Sequence, residues 1–426
     1  MPLLIHLTDR LRFFLICFAA LTVSLPMAWI SLGKLVLFVT CLGFLGRQLL
    51  RNEHDGALEA LWSVRVILLV MAAFALSLCW SEAPLNIALP AFVKHGKLLE
   101  IAMLVSLIRS KAEARQVMLV FLLSQAIFIL TSWAMAAGLP IPWATSQHDV
   151  IPRYRYIVFS TYLDQTLIFS ATAAVFWHLR AEWQCWRRAA ALLAAAALVN
   201  TLFLQEGRTG YAAALTVLTL AIMWELPKRM RLAALLLTPL LLLTGLYEGS
   251  AQVQDRITQA INESQSYRDQ GFSDSSSGFR LHAWHRSVQA MLENPLTGTG
   301  VGSWTLTVER LEGADADKVF GTNLGSNPHQ EYLMWGVELG SGGLLLLLLL
   351  ILSLLRDALT FELPVMRATV SVVLVMAVAC LFNASLYDAL IGDFFCITLG
   401  LLLALGVRRD SQAPTVAQPP PVGVMA

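Results

Sequence analysis

The sequence predicts an all-α integral membrane protein of about twelve transmembrane helices, with one long polar segment late in the chain. Of its 426 residues, 57% are hydrophobic and only 14% are charged, and the mean hydropathy is +0.64. A soluble domain carries about a quarter charged residues. The net charge of +1 provides no basic footprint for a nucleic acid. We therefore expect a chain that contacts membrane lipid and binds no nucleic acid.

Apolar stretches long enough to span a bilayer recur along the whole chain. Prolines interrupt them at Pro26, Pro84, Pro140, Pro142, Pro227 and Pro364. Because proline cannot continue a helix, these positions separate neighbouring spans. The predicted spans are residues 11–25, 28–49, 66–80, 85–108, 116–137, 157–179, 189–204, 210–225, 232–247, 330–355, 365–385 and 389–407.

Lysine and arginine residues mark one side of the predicted bundle. If the N-terminus lies in the cytoplasm, every inner connection carries a basic residue, as at Arg47, Arg109, Arg187, Arg229 and Arg356. Cytoplasmic connections of membrane proteins carry such an excess of basic residues. The pattern therefore predicts that both termini lie in the cytoplasm.

Four regions follow from this topology. Residues 1–247 contain nine spans, 248–328 form an outer segment, and 329–409 contain three further spans. In the outer segment, helical stretches at 252–267 and 279–293 flank a Ser/Gly linker at 273–278, and a turn-rich loop follows at 294–302. Residues 410–426 carry three consecutive prolines and are predicted to be a disordered cytoplasmic tail.

Three outward-facing positions carry chemistry that the bundle itself does not need. Arg208 lies between glycines in a tight turn, Arg280 lies on the second outer helix, and His329 directly precedes the tenth span. Taken singly, each has an ordinary explanation: an arginine that reaches the headgroups, a solvated helix face, and a structural histidine. Because all three share one side and one depth, together they predict an anion site beside a base.

This combination of residue types suits a diphosphate-linked sugar. Planar guanidinium groups bind diphosphates well, and a diphosphate is already a good leaving group. An imidazole that titrates near neutral pH would accept the proton of an incoming sugar hydroxyl. We therefore interpret Arg208 and Arg280 as diphosphate-binding residues and His329 as the catalytic base of a glycosyl transfer.

Further residues are assigned supporting roles. Lys97 and Arg155 would widen a basic mouth around the site, although both also fit the role of interfacial anchors. Asp388, in the last outer loop, would orient His329 or an arginine, or would be a simple turn residue. The pair Asp315 and Asp317 has the spacing of a metal–diphosphate motif, but the surrounding residues are typical of an ordinary charged loop. We expect no metal and no cofactor.

In this ordered set the sequence resembles the O-antigen ligases (WaaL) and their O-antigen polymerase relatives. The resemblance covers the whole hydropathy plan, with a large outer loop late in the chain. It is sharpest in three motifs, which are Gly207-Arg208-Thr209-Gly210, then Phe279-Arg280 with Trp284 and the 294–300 loop, and His329-Gln330-Glu331-Tyr332 with Gly336 and Gly340.

The resemblance implies an enzyme of the Gram-negative inner membrane with a GT-C-like fold and a periplasmic active site. Its donor would be undecaprenyl-diphosphate-linked O-antigen, and its acceptor the lipid A–core oligosaccharide. Transfer would invert the anomeric centre without a metal. The residues matching the family's site are Arg208 and Arg280 for the diphosphate and His329 for the acceptor hydroxyl, with Tyr332 in support.

Three other functions stay open at this point. An O-antigen polymerase uses the same chemistry but a lipid-linked acceptor, and a protein O-oligosaccharyltransferase uses a protein acceptor. A transporter or flippase also commonly has about twelve spans, but it tends to place charged residues near the bilayer midplane. In this sequence, Lys34 and Arg65 are the charged residues expected nearest the membrane interior, and both are expected to be shallow.

Overall fold

The computed structural model describes residues 2–51, 56–144, 155–159, 161–270, 275–313 and 327–408. In these ranges every regular element is helical. The elements include short 3₁₀ turns and one π-helical turn, Asn200–Leu204. The α-helices are α1 Pro2–Thr22, α2 Met27–Arg51, α3 Gly56–Ala60, α4 Trp62–Ser77, α5 Leu85–His95, α6 Leu99–Leu107, α7 Lys111–Ala136, α8 Tyr162–Leu179, α9 Arg187–Val199, α10 Arg208–Glu225, α11 Arg231–Gly249, α12 Ala251–Gln270, α13 Ser276–Glu293, α14 Trp304–Glu312, α15 Glu331–Ala358, α16 Leu363–Phe382 and α17 Ala389–Val407.

Seven helical segments in the described ranges are long and apolar enough to cross a membrane, which confirms a polytopic membrane protein. They contain α2, α7, α9, α11, α15, α16 and α17, while α4 is apolar but shorter. The other predicted spans include enclosed helices such as α8, which buries polar side chains including Gln165, Ser170 and Thr172. A helix surrounded by protein does not need to be apolar on every face. The count of twelve spans remains a prediction.

The helices at the core of the bundle and those at its lipid-facing edge differ in the fraction of their residues that is buried. In the most apolar stretch of α17, 89% of the residues are buried, against 6% in the segment that contains α11. Helix α17 packs against α6, α7 and α16, whereas α11 contacts mainly α10 and α12. Leucines such as Leu236 and Leu241 on α11 are exposed. Helix α11 therefore borders the lipid.

The predicted span at 85–108 is helical from Leu85 to Leu107, as two α-helices joined by a 3₁₀ turn. Helix α5 ends at His95, a 3₁₀ turn covers Gly96–Leu98, and α6 begins at Leu99. Pro90 removes a backbone donor from α5, and Gly96 weakens helical structure at the turn. The break places Lys97 inside the protein, where it is 6% exposed.

Helix α15 is also broken, and the outer loop enters the break. At Gly340 the backbone has φ 65° and ψ −151°, which is outside the helical region. Thr299 N–H donates to the Val337 carbonyl (2.8 Å), and Gly300 N–H donates to the Glu338 carbonyl (2.9 Å). The turn-rich loop predicted at 294–302 buries its residues 298–301 and acts as a plug, which satisfies the carbonyl groups that the break exposes.

Glycines allow this plug to approach α15 closely. A Cβ atom at Gly298, where φ is +63°, would lie 2.4 Å from the Val337 carbonyl oxygen. A Cβ atom at Gly340 would lie 2.5 Å from the carbonyl carbon of Leu296. On the opposite side, Glu82 N–H donates to the Thr299 carbonyl (2.9 Å). Neither glycine can be replaced without moving backbone.

We predict that Gly298→Ala lowers the thermal unfolding midpoint of the purified protein. A left-handed conformation costs a non-glycine residue about 1–2 kcal/mol, and the contact with Val337 adds to this cost. Gly245→Ala in α11 is the matched control, because a Cβ atom at Gly245 would meet nothing within 4 Å and alanine favours a helix. Equal midpoints for the two variants would show that the plug is not tightly packed.

Candidate active site

Arg208 is the first residue of α10, and Gly207 is its N-cap. Its Nη1 donates to Ser277 Oγ (2.8 Å), and its Nη2 lies 3.3 Å from Glu263 Oε2. The glycines on either side of Arg208 have a packing role. A Cβ atom at Gly210 would lie 2.3 Å from Thr166 Cβ, so the glycines allow α10 to pack on α8.

Arg280 lies on α13 and points to the same region. Its Nη2 donates to Asn383 Oδ1 (3.3 Å), and Asn383 Nδ2 donates to Thr209 Oγ1 (3.4 Å). Asn383, at the C-cap of α16, therefore joins the second arginine to the start of α10. Burial lowers the pKa of Arg280, and the charge of Arg208 acts in the same direction. A guanidinium group nevertheless keeps its charge in a protein.

His329 lies at the mouth of α15 in a constrained backbone conformation, with φ 52°. Its N–H donates to Asn327 Oδ1 (2.9 Å), and Trp284 Nε1 donates to the preceding Pro328 carbonyl (3.0 Å). The ring edge of Phe279 packs at 6.0 Å from the imidazole. These contacts hold the left-handed conformation, which would otherwise be strained.

The expectation that His329 titrates near neutral pH is wrong for the free protein. Burial lowers the pKa of His329 to about 4, and the positive charge of Arg280 contributes in the same direction. The imidazole is therefore neutral at physiological pH. A neutral imidazole has a ring nitrogen that can accept a proton.

The structure brings the three predicted residues together. The charge of Arg208 affects the pKa of Arg280, and the charge of Arg280 affects that of His329. Direct contacts link the same segments, because Asn383 joins Arg280 to Thr209 beside Arg208, and Phe279 beside Arg280 packs against the His329 ring. The three side chains come from the starts of α10 and α15 and from α13, so only the folded chain assembles them.

Asp388 and Lys97 lie on the loop side of this site. Asn327 Nδ2 donates to Asp388 Oδ1 (3.5 Å). Burial and the neighbouring carboxylates of Asp164 and Glu331 raise the pKa of Asp388 to about 7. Lys97 Nζ donates to the carbonyls of Tyr387 (2.9 Å) and Asp388 (2.7 Å). Lys97 therefore does not line an open basic mouth, and instead holds the backbone that carries Asp388.

Tyr332 and Arg155 are the other residues that were predicted to support the site. Tyr332 Oη donates to the Ala377 carbonyl (3.2 Å), which ties α15 to α16. Arg155 is exposed in a turn, and no contact within the described ranges joins it to the arginines or to His329. Asp315 and Asp317 lie outside the described residues.

The sequence-based prediction assigned no role to two buried glutamates near the site. Glu331 accepts backbone N–H groups of Leu386 (2.9 Å) and Tyr387 (3.2 Å), so it holds the same loop as Lys97. Glu338 accepts the Gly302 N–H (2.7 Å) and pairs with His95 (3.0 Å), so it anchors the plug. The sequence does contain a signal for these two residues. Both carboxylates lie within an apolar span, where ionisable residues are costly and usually have a function.

A third group of buried charges lies deeper in the bundle. Lys34 Nζ is 2.8 Å from Asp393 Oδ2, whose side chain is fully buried. Glu100 is 5% exposed, and the charges of Asp393 and Lys97 both act on it. Lys34 is therefore paired with a carboxylate inside the bundle.

Fold and site together define a polytopic membrane protein with a basic site and a neutral imidazole at one end of its helical bundle. Residues 193–348 match the family model of the O-antigen ligase domain, Wzy_C. This match supports the O-antigen ligase/polymerase superfamily that the resemblance predicted. Arg208, Arg280 and His329 all fall within the matched region. No curated protein matches the chain significantly.

Members of this superfamily are membrane glycosyltransferase-like enzymes that use lipid-linked glycans. The match does not distinguish ligases from polymerases. Ligases and polymerases differ in their acceptor, so the acceptor must be identified by experiment.

We predict that Lys97→Met accelerates amide hydrogen exchange at residues 386–388. Hydrogen bonds to charged groups contribute about 1.5–3 kcal/mol each, so losing two should increase local opening about tenfold or more. Lys94→Met is the control, because exposed Lys94 only stacks over the Tyr387 ring at 4.4 Å. If exchange in the Lys97 variant matches that of the control, Lys97 does not hold this loop.

Proposed function

We propose that the protein is an O-antigen ligase, which transfers O-antigen from undecaprenyl diphosphate to the lipid A–core oligosaccharide. The observation that carries this proposal is the convergence of Arg208, Arg280 and His329 at one end of the bundle, within the O-antigen ligase domain. The proposal places the site at the periplasmic face of the inner membrane, with both termini in the cytoplasm and a GT-C-like fold.

Binding of the donor depends on the two guanidinium groups. A diphosphate diester carries about two negative charges, and two arginines match this charge with a planar donor geometry. Glu263 and Ser277 orient Arg208, and Asn383 orients Arg280. Burial alone would raise the pKa of Glu263, but hydrogen bonds from Ser277 and the charge of Arg208 lower it overall. The Glu263 carboxylate therefore remains ionised and keeps Arg208 in place.

The transfer step requires one bond to form and one to break. The acceptor hydroxyl oxygen attacks the anomeric carbon of the donor sugar from the face opposite the diphosphate, which gives inversion. The bond from the anomeric carbon to the diphosphate oxygen breaks, and the electron pair stays on the diphosphate between the two arginines. His329 takes the hydroxyl proton. Cationic groups that stabilise developing charge in this way contribute on the order of 3 kcal/mol each.

The low pKa of the free imidazole fits this role once the donor is bound. A base with a pKa of about 4 is neutral but weak. The bound diphosphate brings negative charge next to Arg280, and this charge offsets the one that lowers the pKa of His329. The pKa of the imidazole then approaches the range in which a general base works best.

Transfer by the purified protein tests the proposal directly. With undecaprenyl-diphosphate-linked O-antigen and lipid A–core, we expect glycan attached to the core oligosaccharide. Product attached only to a second lipid-linked glycan would identify a polymerase, and product on a protein would identify an oligosaccharyltransferase. Net passage of the donor across proteoliposomes without covalent transfer would identify a transporter. Each of these results would replace the ligase assignment.

We predict that His329→Ala lowers kcat by a factor of about 10² to 10⁴, which is the usual contribution of a general base. Donor binding should change little, because the two arginines remain. His285→Ala is the matched control, since exposed His285 lies on α13, one residue after Trp284. Retention of kcat in the His329 variant, with the protein correctly folded, would exclude His329 as the base.

The pH dependence of transfer provides a second prediction. Because His329 must be neutral, kcat/KM should fall as the pH drops through about 4, the pKa of the imidazole in the free protein. The acidic limb of kcat should lie at a higher pH, because bound diphosphate raises the pKa of the imidazole. Asp388→Asn removes the carboxyl that titrates near 7 and isolates the limb due to His329. A kcat limb at or below that of kcat/KM would contradict this mechanism.

A further inference from the structure

An apolar groove lies between α8, α9 and α10, and its mouth is at the opposite end of α10 from Arg208. Its volume is about 540 Å³, which is within the usual range for a ligand pocket. The α9 wall includes the small side chains of Ala191, Ala194 and Ala195, which leave space between the helices. Only 28% of the residues in the most apolar stretch of the α9 segment are buried. This helix therefore borders the lipid, and the groove can be entered from the membrane.

The groove is as deep as one leaflet of a bilayer. Along α9 and the π-helical turn that follows it, the lining extends from Ala191 to Leu202. At a rise of about 1.5 Å per residue, this stretch covers about 16 Å, which is about half of the roughly 30 Å hydrocarbon thickness of a bilayer. The mouth, at Glu225 and Leu226, lies at the level where α10 ends. One acyl chain of a phospholipid therefore fits the groove from headgroup level to the middle of the membrane.

Basic residues lie on both sides of the mouth of the groove. Those closest in sequence to its lining are Arg187, Arg188, Lys228, Arg229 and Arg231. The first two begin α9, and the other three follow the end of α10. Basic pockets between transmembrane helices bind anionic lipid headgroups. The mouth therefore has the charge that a lipid phosphate requires.

Acidic residues near the mouth do not cancel this charge. Glu225 lines the groove, but its Oε1 pairs with Arg180 Nη2 (3.1 Å). The Cζ atom of Arg180 also lies 3.6 Å from the centre of the Trp177 ring, and Trp177 is another lining residue. Glu182 pairs with Arg115 (3.2 Å). The mouth therefore keeps an excess of positive charge, which complements an anionic amphiphile.

From these observations we propose that the groove binds one acyl chain of an anionic phospholipid, with the lipid phosphate at the basic mouth. This site is at the end of the bundle opposite to the candidate active site, and the proposal does not depend on glycosyl transfer. A second copy of this chain is the less suitable occupant, because it would bring the same basic residues to the same depth, where like charges repel. An uncharged phospholipid would fill the groove but leave the positive charge of the mouth without a partner.

Filling the groove should weaken binding of the lipid chain. Ala195→Trp places a large side chain in the groove, and because Ala195 is an exposed lining residue, the packing of the bundle is kept. Leu192→Trp is the matched control, because Leu192 is 71% exposed on the same helix and lies outside the lining. Each buried CH₂ of a lipid chain contributes about fourfold to binding. Losing two or more such groups should raise the Kd of dioleoyl phosphatidylglycerol about tenfold or more, as measured by native mass spectrometry of lipid titrations.

Removing charge from the mouth tests the headgroup end of the site. Arg187→Gln combined with Arg188→Gln should raise the Kd of dioleoyl phosphatidylglycerol about tenfold or more, because each basic residue near a membrane surface contributes about fivefold to binding of anionic lipid. The Kd of dioleoyl phosphatidylcholine should not change. The control variant, Arg65→Gln with Arg356→Gln, removes two arginines that lie over the Trp62 ring at the same end of the bundle and outside the groove.

The outcomes of these titrations are distinct. We expect the wild-type protein to bind phosphatidylglycerol about tenfold or more tightly than phosphatidylcholine with the same chains, and equal Kd values for the two lipids would overturn the proposal. It is also overturned if Ala195→Trp has the same Kd as Leu192→Trp, because the chain would then lie elsewhere, or if the two double variants bind phosphatidylglycerol equally. A wild-type dimer that Ala195→Trp dissociates would show instead that a second copy occupies the groove.

Photolabelling of the wild-type protein locates the lipid chain without any variant. The probe is a phosphatidylglycerol that carries a diazirine in the middle of one acyl chain, and unlabelled phosphatidylglycerol and phosphatidylcholine are the competitors. We expect labelling of peptides from residues 191–202 and 217–226, which phosphatidylglycerol suppresses more strongly than phosphatidylcholine does. Labelling only in the groove between α10, α11 and α12, which Leu215, Leu243 and Ile257 line, would overturn the proposal. Equal suppression by the two lipids would overturn it as well.

Discussion

The structure depends on how the interrupted helix α15 satisfies its backbone inside a membrane. Lipid offers no hydrogen-bond donors, so a break in a spanning helix is tolerated only where other protein groups supply them. The plug at 294–302 donates to the carbonyls of Val337 and Glu338, and the Glu338 side chain in turn accepts from Gly302. Helix α13 leads directly into this plug, and His329 lies at the start of α15. The same interaction therefore fixes the segments that carry Arg280 and the imidazole.

A second constraint acts on the loop between α16 and α17. Lys97 binds two of its carbonyls, while Glu331 binds two of its amides, so opposite charges hold the two kinds of backbone group. Removing one partner of such a buried arrangement leaves an uncompensated charge, which is strongly destabilising. The loop begins at Asn383, which contacts Arg280, and ends at Asp388. Charged residues buried at this end of the bundle thereby set the geometry of the candidate site.

The sequence was sufficient to predict the helical membrane fold and the residues that meet at the site. Hydropathy identifies spans because it depends on composition, and Arg208, Arg280 and His329 stand out because they lie at the boundaries of apolar runs. It could not predict the break at Gly340 or the 3₁₀ turn at Gly96, because a window average conceals one residue. The depressed pKa of His329 depends on burial and on the charge of Arg280, which is 49 positions away in the sequence. Only the folded chain brings these two residues close together.

In the proposed mechanism, the strength of the base depends on whether the donor is bound. In the free protein, Arg280 and burial keep the imidazole neutral and weakly basic. Burial is the main cause that lowers the pKa of Arg280, and repulsion by the guanidinium group of Arg208 acts in the same direction. A bound diphosphate relieves that repulsion and, through the same charge, makes the imidazole a better proton acceptor. Donor binding and activation of the acceptor are then one electrostatic event. For this reason, a site made of two arginines and one histidine can hold a weak base in the free protein and a competent one once the donor is bound, without any change in the position of its helices.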